Sequence, residues 1–428
     1  MDPTDTTIDA LEETVLLVGV QQRGQTVHDV EDTLSELAQL ADTAGGRVLD
    51  QVICRQDRPQ AGHYIGKGKV EEITAWIQEN RPATVLFDDE LSPAQGRNLE
   101  KAFGVKVIDR TQLILDIFAQ HARTKEGCLQ IELAQLGYWL PRLRRMWTHL
   151  ERQRGGMGMH GPGESQLETD RRRIEERMVR IRKDLEQVRR HRQELRRGRR
   201  RHGWALASLV GYTNAGKSTL LNALSGAQVK AYNQLFATLD PTTRQIQLPD
   251  NQSILLTDTV GFIRKLPHGL VESFKATLEE VTESDLLVHV IDTAHPQVDK
   301  QIEAVYAVLE EIGAAGKPVL TVLNKIDTPA GAAARGRLAR AWPGAVALSA
   351  KTGTGLDVLL DALSDQLRDR TVRMRLRIPL REGKVIAALQ AEANVLTEEY
   401  EGEWAMIDAY VPCHLSGAFK PYHSEERT

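Results

Sequence analysis

The stretch Gly211-Tyr212-Thr213-Asn214-Ala215-Gly216-Lys217-Ser218-Thr219 decides how the rest of this 428-residue chain is read. It fits the pattern GxxxxGK[ST], directly after the apolar run Leu206–Val210 and directly before a helical pattern over Thr219–Leu224. A strand, a glycine-rich loop and a helix N-terminus in that order make a phosphate cradle. Glycines let backbone N–H groups approach the anion, and the helix dipole favours it. Lys217 is then placed to reach β/γ-phosphate oxygens, and the Ser218 hydroxyl to ligate Mg²⁺.

Three further segments follow in order, each at the end of an apolar run. Asp258-Thr259-Val260-Gly261 closes Ile254–Thr257. Its carboxylate can hold Mg²⁺ through water, and the Gly261 N–H can sense a γ-phosphate. Asn324-Lys325-Ile326-Asp327 closes Val319–Leu323. The Asp327 carboxylate can accept from guanine N1–H and the 2-amino group. Adenine offers neither donor and would leave a carboxylate unpaired. Ser349-Ala350-Lys351 closes Ala345–Leu348 and is placed to back the base. Singly these motifs are weak; four of them ordered at strand ends imply a guanine-nucleotide site, with Lys217 and Gly261 among its catalytic residues.

Between the loop and Asp258 lies Phe236-Ala237-Thr238-Leu239-Asp240-Pro241-Thr242-Thr243. A threonine here would complete the Mg²⁺ shell, and residue chemistry leaves Thr238, Thr242 and Thr243 all open. After Gly261 stands Phe262, where a glutamine orients the attacking water in Ras-like enzymes. A phenyl ring cannot, so intrinsic hydrolysis is expected to be slow or to depend on another group. The Asn214 side-chain oxygen is a candidate seat for a monovalent cation.

Outward from this centre the chain divides into four. Residues 1–140 alternate strands (Thr14–Val20, Arg47–Ile53, Thr84–Phe87, Val105–Ile108) with helical patterns (Val30–Leu40, Val70–Glu79, Ser92–Phe103), an N-terminal α/β domain. Residues 141–202 hold the Gly-rich loop Gly155–Gly163 and a basic helical arm. Residues 203–370 are the GTP-binding domain, with a further strand at Leu286–Ile291. Residues 371–428 form a small C-terminal domain: an alternating strand Val372–Ile378, a helix near Lys384–Leu396 and a strand near Ala405–Val411. The fold class is α/β: a P-loop GTPase domain preceded by a small α/β domain and a basic helical hairpin, followed by a short α+β tail domain.

In the arm, Ile174, Met178, Ile181, Leu185, Val188 and Leu195 recur at four- and three-residue steps, which predicts a helix packed on a neighbour. Residues 171–201 carry 15 Lys+Arg and 5 Asp+Glu, a net of +10, while the whole chain is −4. Most of these arginines are expected to lack an acid at i±4, so the excess fits a polyanion such as RNA better than a merely solvated face. No aromatic residue interrupts 171–201, so phosphate contact is the expected mode. Arg171, Arg172 and Arg173 are the named RNA-contact candidates.

Composition excludes other classes. With 41% apolar and 27% charged residues the chain is neither disordered nor fibrous. No apolar run reaches the roughly 18 residues of a membrane span, so no stable membrane insertion is expected. The acidic opening Met1–Glu13 is unlike a secretory signal, and three scattered cysteines make no disulfide framework; a cytoplasmic location is expected.

At these residues the chain resembles the HflX type of ribosome-associated GTPase, within the translation-factor-class superfamily. The resemblance rests on Tyr64-Ile-Gly-Lys-Gly-Lys69, Phe87-Asp-Asp-Glu-Leu-Ser-Pro-Ala-Gln95, Val107-Ile-Asp-Arg-Thr111, Leu113-Ile-Leu-Asp-Ile-Phe-Ala119 and Gly161-Pro-Gly-Glu-Ser-Gln-Leu-Glu-Thr-Asp-Arg171. It continues through Gly211–Ser218, Leu235-Phe-Ala-Thr-Leu-Asp-Pro241 and Asp258-Thr-Val-Gly-Phe-Ile263, and weakens after about residue 372. It implies a Mg²⁺-dependent GTPase that binds the large ribosomal subunit and its RNA and acts on stalled, stressed or assembling ribosomes. It also implies Thr238, within Phe236–Asp240, as the metal ligand beside Ser218. Potassium-activated GTPases share the asparagine that Asn214 matches, which makes K⁺ a second candidate cofactor. The reading from another class is a GTP-switched regulatory scaffold that docks a protein partner.

One competing signal is set aside. Gly62-His-Tyr-Ile-Gly66-Lys67-Gly68 is one residue short of a second phosphate loop, and no Ser or Thr follows Lys67. It reads as a structural turn or, through Lys67 and Lys69, as an RNA contact.

Overall fold

The computed structural model describes residues 13–146, 162–201, 205–226, 235–236, 238–249, 252–265, 278–367, 371–413 and 415–424, with backbone alone at 144–146, 162–167, 191–201 and 371. Ala237, the loop residues Gly155–Gly161 and the Leu195 side chain lie outside the described residues. Packing divides the described chain into two units. The first reaches to Leu185 and includes Leu235, Phe236 and Lys265; the second holds the rest.

The first unit runs β1 (Glu13–Gln21), α1 (Val27–Thr43), β2 (Gly46–Arg55), α2 (Lys67–Asn80), β3 (Thr84–Phe87), α3 (Pro93–Phe103), β4 (Lys106–Asp109), α4 (Arg110–His121) and α5 (Lys125–Met146). Its four strands are parallel in the order β2-β1-β3-β4. β1 is apolar and buried from Val15 to Val20, as a strand inside a parallel sheet requires. Gly19 lets α1 lie close: a Cβ there would meet Val30 at 2.9 Å. α3 begins as its sequence predicts, with Pro93 at the first turn and a capping box between Ser92 and Gln95.

Two helices here were not foreseen. α4 buries Leu113, Ile114, Leu115, Ile117 and Phe118 around most of its circumference, so no amphipathic stripe marks it. α5 crosses the expected boundary at residue 140 and is one arm of the helical pair. The other arm is α6 (Pro162–Arg201), where Pro162 and Gly163 already belong to the helix rather than to the Gly-rich loop. Arg177 of α6 forks onto Glu132 of α5 through two 2.7 Å hydrogen bonds. Ile181 is buried, with Ile174, Met178, Leu185 and Val188 half-buried, so the predicted stripe is the packed face.

A buried ionic network crosses the first unit. The fully buried Arg110 pairs with Glu36 and, at 2.8 Å, with Asp88. Lys265 donates to Asp88 at 2.5 Å and to Asp89 at 2.7 Å. Burial pulls the Asp88 carboxyl up, but Arg110 and Lys265 overcome it and hold the group below the usual carboxylate range. Phe236 packs edge-on against Phe118 at 4.6 Å in the same unit.

The second unit contains two sheets. One comprises β5 (Ala205–Val210), β6 (Thr242–Gln247), β7 (Ser253–Asp258), β8 (Leu286–Asp292), β9 (Val319–Asn324) and β10 (Val346–Ala347), ordered β10-β9-β8-β5-β7-β6. All neighbours are parallel except the edge strand β6, which runs antiparallel to β7 and was not anticipated. The helices α7 (Lys217–Ser225), α8 (Val298–Glu311), α9 (Pro329–Ala341) and α10 (Leu356–Gln366) accompany it. From β5 the chain builds outward one way to β7 and later the other way to β8, β9 and β10. A ligand crevice is expected where the direction changes, outside the carboxyl ends of the strands.

The second sheet is the tail: β11 (Thr371–Pro379), α11 (Gly383–Glu392), β12 (Asn394–Glu401), β13 (Trp404–Pro412) and the short α12 (Ser416–Phe419), with strand order β11-β13-β12. The helix expected to Leu396 ends at Glu392, and Asn394–Leu396 start β12 instead. Met374, Leu376 and Ile378 are buried as their alternation requires. The arginine face is not bare: Arg373 forks onto Asp408, and Arg377 lies over the Trp404 ring.

Candidate guanine-nucleotide site

The loop after β5 takes the conformation its glycines permit. Gly211 has φ 151°, and a Cβ there would lie 2.3 Å from the Val290 carbonyl oxygen. Gly216 has φ 96°, and a Cβ would meet the Asn324 amide at 2.4 Å. At Gly211 another residue would have to move the backbone; at Gly216 it would displace the Asn324 side chain and sit at a φ that favours glycine. Thr219 continues into α7, and Lys217 begins it, fully inside the loop. Its Nζ donates to the carbonyls of Gly211 (3.1 Å) and Tyr212 (2.8 Å). Burial pushes the Lys217 ammonium down to about 8, opposed by the nearby Asp258 charge.

Three oxygens converge beside it. The Ser218 hydroxyl donates to Asp258 Oδ2 at 2.6 Å and lies 2.8 Å from the Thr238 hydroxyl. Asp258 Oδ1 is buried with no hydrogen-bond partner among the described residues. Two hydroxyls, a buried carboxylate and an unpaired carboxylate oxygen suit a hard, oxygen-loving divalent cation such as Mg²⁺. Burial raises the Asp258 carboxyl above its usual range, against Lys217 and the hydroxyl hydrogen bonds. Of the three threonines left open by sequence, Thr238 alone joins this cluster. Thr242 and Thr243 are the first residues of β6, and the Thr243 hydroxyl bonds instead to Thr257 at 2.9 Å. Leu239 is buried and Asp240 follows it at the surface end of the segment.

The base-reading segments meet at the ends of β9 and β10. Asn324 is a clamp: its Nδ2 donates to the Ala215 carbonyl (2.8 Å), and its Oδ1 accepts the Ala350 N–H (2.9 Å). One side chain thereby ties the phosphate loop to Ser349-Ala350-Lys351. Lys325, at φ 65°, pairs with Asp292 at 2.7 Å. Ile326 hydrogen-bonds the Leu348 carbonyl, and Asp327 stays exposed, with Thr328 capping α9 just beyond it. Asp292 was missed by motif reading; its signal was an acid ending the apolar strand β8. Thr259 is buried, its hydroxyl donating to the Leu209 carbonyl, and Val260 is buried behind Gly261.

The predicted RNA contacts lie elsewhere. Each of the three candidate contacts nevertheless has an acidic partner: Arg171 pairs with Glu175 and Arg172 with Glu176 at i+4, and Arg173 approaches Asp170. Arg189 reaches Glu279 and Arg190 reaches Glu186. Arg180, Arg182 and Lys183 are exposed and without an ion pair among the described residues. Lys67 opens α2 after a turn bridged between Gln60 and Tyr64, and Lys69 pairs with Glu72.

Profiles described as GTP-binding GTPase N-terminal, GTP-binding GTPase Middle Region and 50S ribosome-binding GTPase match residues 31–119, 121–199 and 207–325. GTPase HflX of Lacrimispora saccharolytica is 47% identical over 407 residues, covering 95% of both chains. The chain belongs to the HflX family of GTPases. The HflX of Escherichia coli K12 is 50% identical over 358 residues, covering 83% of this chain and 84% of its own. Among solved structures, a GTP-binding protein of Sulfolobus solfataricus in complex with GDP is 26% identical and covers 82% of this chain and 98% of its own, at a TM-score of 0.44. As an HflX-family enzyme the chain hydrolyses GTP to GDP and phosphate.

Proposed function

We propose that this GTPase works with Mg²⁺ at the 211–219 loop, binds the large ribosomal subunit through ribosomal RNA, and acts on stalled, stressed or assembling ribosomes in the cytoplasm. The observation that carries the catalytic half is the convergence of Ser218, Thr238 and Asp258 beside Lys217. Ser218 and Thr238 would hold the metal directly and Asp258 through water. The ion would supply charge neutralisation at the β- and γ-phosphoryl oxygens. Lys217 adds a buried positive charge at the same oxygens, and the Gly261 N–H donates to the γ-phosphoryl group. Asp327 reads the base, with Ser349, Ala350 and Lys351 behind it. Asn214, exposed at φ 58°, offers its amide oxygen to K⁺.

The ribosomal half is supported by the 50S ribosome-binding description of the matching profile and by the charge of α6. None of the described helices is long and apolar enough to cross a membrane. Replacing Arg180, Arg182 and Lys183 together with glutamate is expected to weaken large-subunit binding and flatten its dependence on salt, since fewer counterions are released. GTP affinity is expected to stay unchanged. An unchanged salt slope would remove α6 as the RNA contact and favour a scaffold docking a protein partner.

A further inference from the structure

A cavity of about 570 Å³ opens in the first unit between α3, the end of β4 and the α5–α6 pair. Its apolar walls come from Leu91, Pro93, Val107, Trp139, Leu143 and Ile174. Two sequence blocks that the nucleotide site leaves unused, Phe87–Gln95 and Val107–Thr111, meet here. One wall is held in place by its own hydrogen bonds. The buried Asp109 accepts the Leu91 N–H at 3.0 Å and the Gln112 N–H at 2.9 Å, and Arg142 donates to the Leu91 carbonyl at 2.8 Å. The Arg142 guanidinium lies over the Tyr138 ring, 3.3 Å from its centroid. Trp139 lines the cavity and is still 42% exposed.

Residues 171–201 hold no aromatic side chain, so on their own they can meet only the phosphates of an RNA. Packing α5 against them supplies the missing stacking surface. The charges that line the cavity balance, Arg97 and Arg142 against Glu100 and Asp109, which suits a neutral ring rather than an ion. A flat heterocycle would lay its faces on the apolar walls and the indole, and the half-buried Gln112 amide offers its edge both a donor and an acceptor. Ile174 stands six residues before Arg180 on α6, about 9 Å along the helix. A strand with one base in the cavity can therefore run its next phosphates past the exposed Arg180, Arg182 and Lys183.

We propose that this cavity receives one unstacked base of the RNA that α6 contacts, with Trp139 stacked on it. The proposal rests on the reading of α6 as an RNA contact. Its test compares full-chain binding of a short single-stranded RNA of mixed sequence with binding of the abasic oligomer, which keeps the sugar–phosphate chain and lacks the bases, at the same salt. The wild type is expected to prefer the base-bearing strand. Trp139→Ala removes an exposed side chain and is expected to weaken that strand by about tenfold, the worth of one stacked base, while leaving the abasic oligomer and GTP unchanged. Gly96→Phe supplies a second variant: Gly96 lines the cavity and a Cβ there meets nothing within 4 Å, so the ring can fill the space without moving α3. The same selective loss is expected. Equal binding of the two oligomers by the wild type, or full binding by both variants, overturns the proposal. So does competition by free AMP as strong as that of the base-bearing strand, since the cavity would then serve a mononucleotide. Failure of the wild type to bind either oligomer would remove the RNA reading of α6 itself, and the proposal with it.

Discussion

We propose that Asp327 reads the base with two acceptor lone pairs: its side chain stands exposed beyond β9 while Asn324 and Lys325 are engaged inward. Asp327→Asn places an NH₂ against the guanine 2-amino group. GTP affinity is expected to fall by at least about 1–3 kcal/mol and XTP affinity to rise, measured by competition with a fluorescent GDP analogue. A mutant that still prefers GTP would show that Asp327 does not read the base. His289, in the middle of β8, makes a different prediction. Burial, helped by Lys217, lowers its imidazole to about 4, and its ring packs edge-on against Tyr306 at 5.4 Å. The unfolded chain takes up a proton below about pH 6.5 while the folded chain does not, so stability falls as pH drops from there towards 4. Between pH 7 and pH 5 this amounts to roughly 2 kcal/mol. His289→Phe keeps the packing and removes the titration, so urea midpoints at the two pH values should differ less than in the wild type. Phe262, flagged in the sequence only as the wrong group to orient water, is by contrast a buried side chain whose backbone bridges the phosphate loop. Motif spacing shows the type of a residue but not the partners of its backbone.

Elements with a strong periodic or capping signal were legible. β1, β3, α3 and the strand–loop–helix of the nucleotide site stand where the residues place them. The unreadable ones share a physical cause. α4 is buried on nearly every side and shows no helical stripe, whereas β6 and β12 are exposed edge strands whose polar residues show no alternation. Pairing with a neighbour, rather than local sequence, makes them strands. The same holds for charges: Asp88, Arg110, Glu36 and Lys265 are far apart in sequence, and only the fold assembles them. Asp88→Asn would leave Arg110 and Lys265 each short of a carboxylate, and is expected to destabilise the first unit by roughly 3 kcal/mol in urea unfolding. Because the folded Asp88 titrates below its unfolded value of about 3.9, its contribution is present above that pH and lost as pH falls below it. Equal stability of variant and wild type at pH 7 would show the network to be dispensable.

At the scale of the whole molecule, the basic charge and the nucleotide chemistry fall on different stretches of the chain. Residues 171–201 carry a net +10, while the nucleotide cluster is built from Ser218, Thr238, Asp258 and Lys217 in the second unit. Motif order made the enzyme legible from sequence. The destination of the arm was legible only as a preference for polyanions, because a charge excess does not name its partner and part of it is matched by acids on α5 and α6. We propose that the two halves are coupled, the γ-phosphate state of this site governing binding to the large ribosomal subunit. Co-sedimentation of the full chain with purified large subunits, in a non-hydrolysable GTP analogue and in GDP at the same salt, tests it most directly. The chain is expected to pellet with the subunits in the analogue and to remain largely in the supernatant in GDP. Equal pelleting in the two nucleotides, or none in either, would contradict the claim.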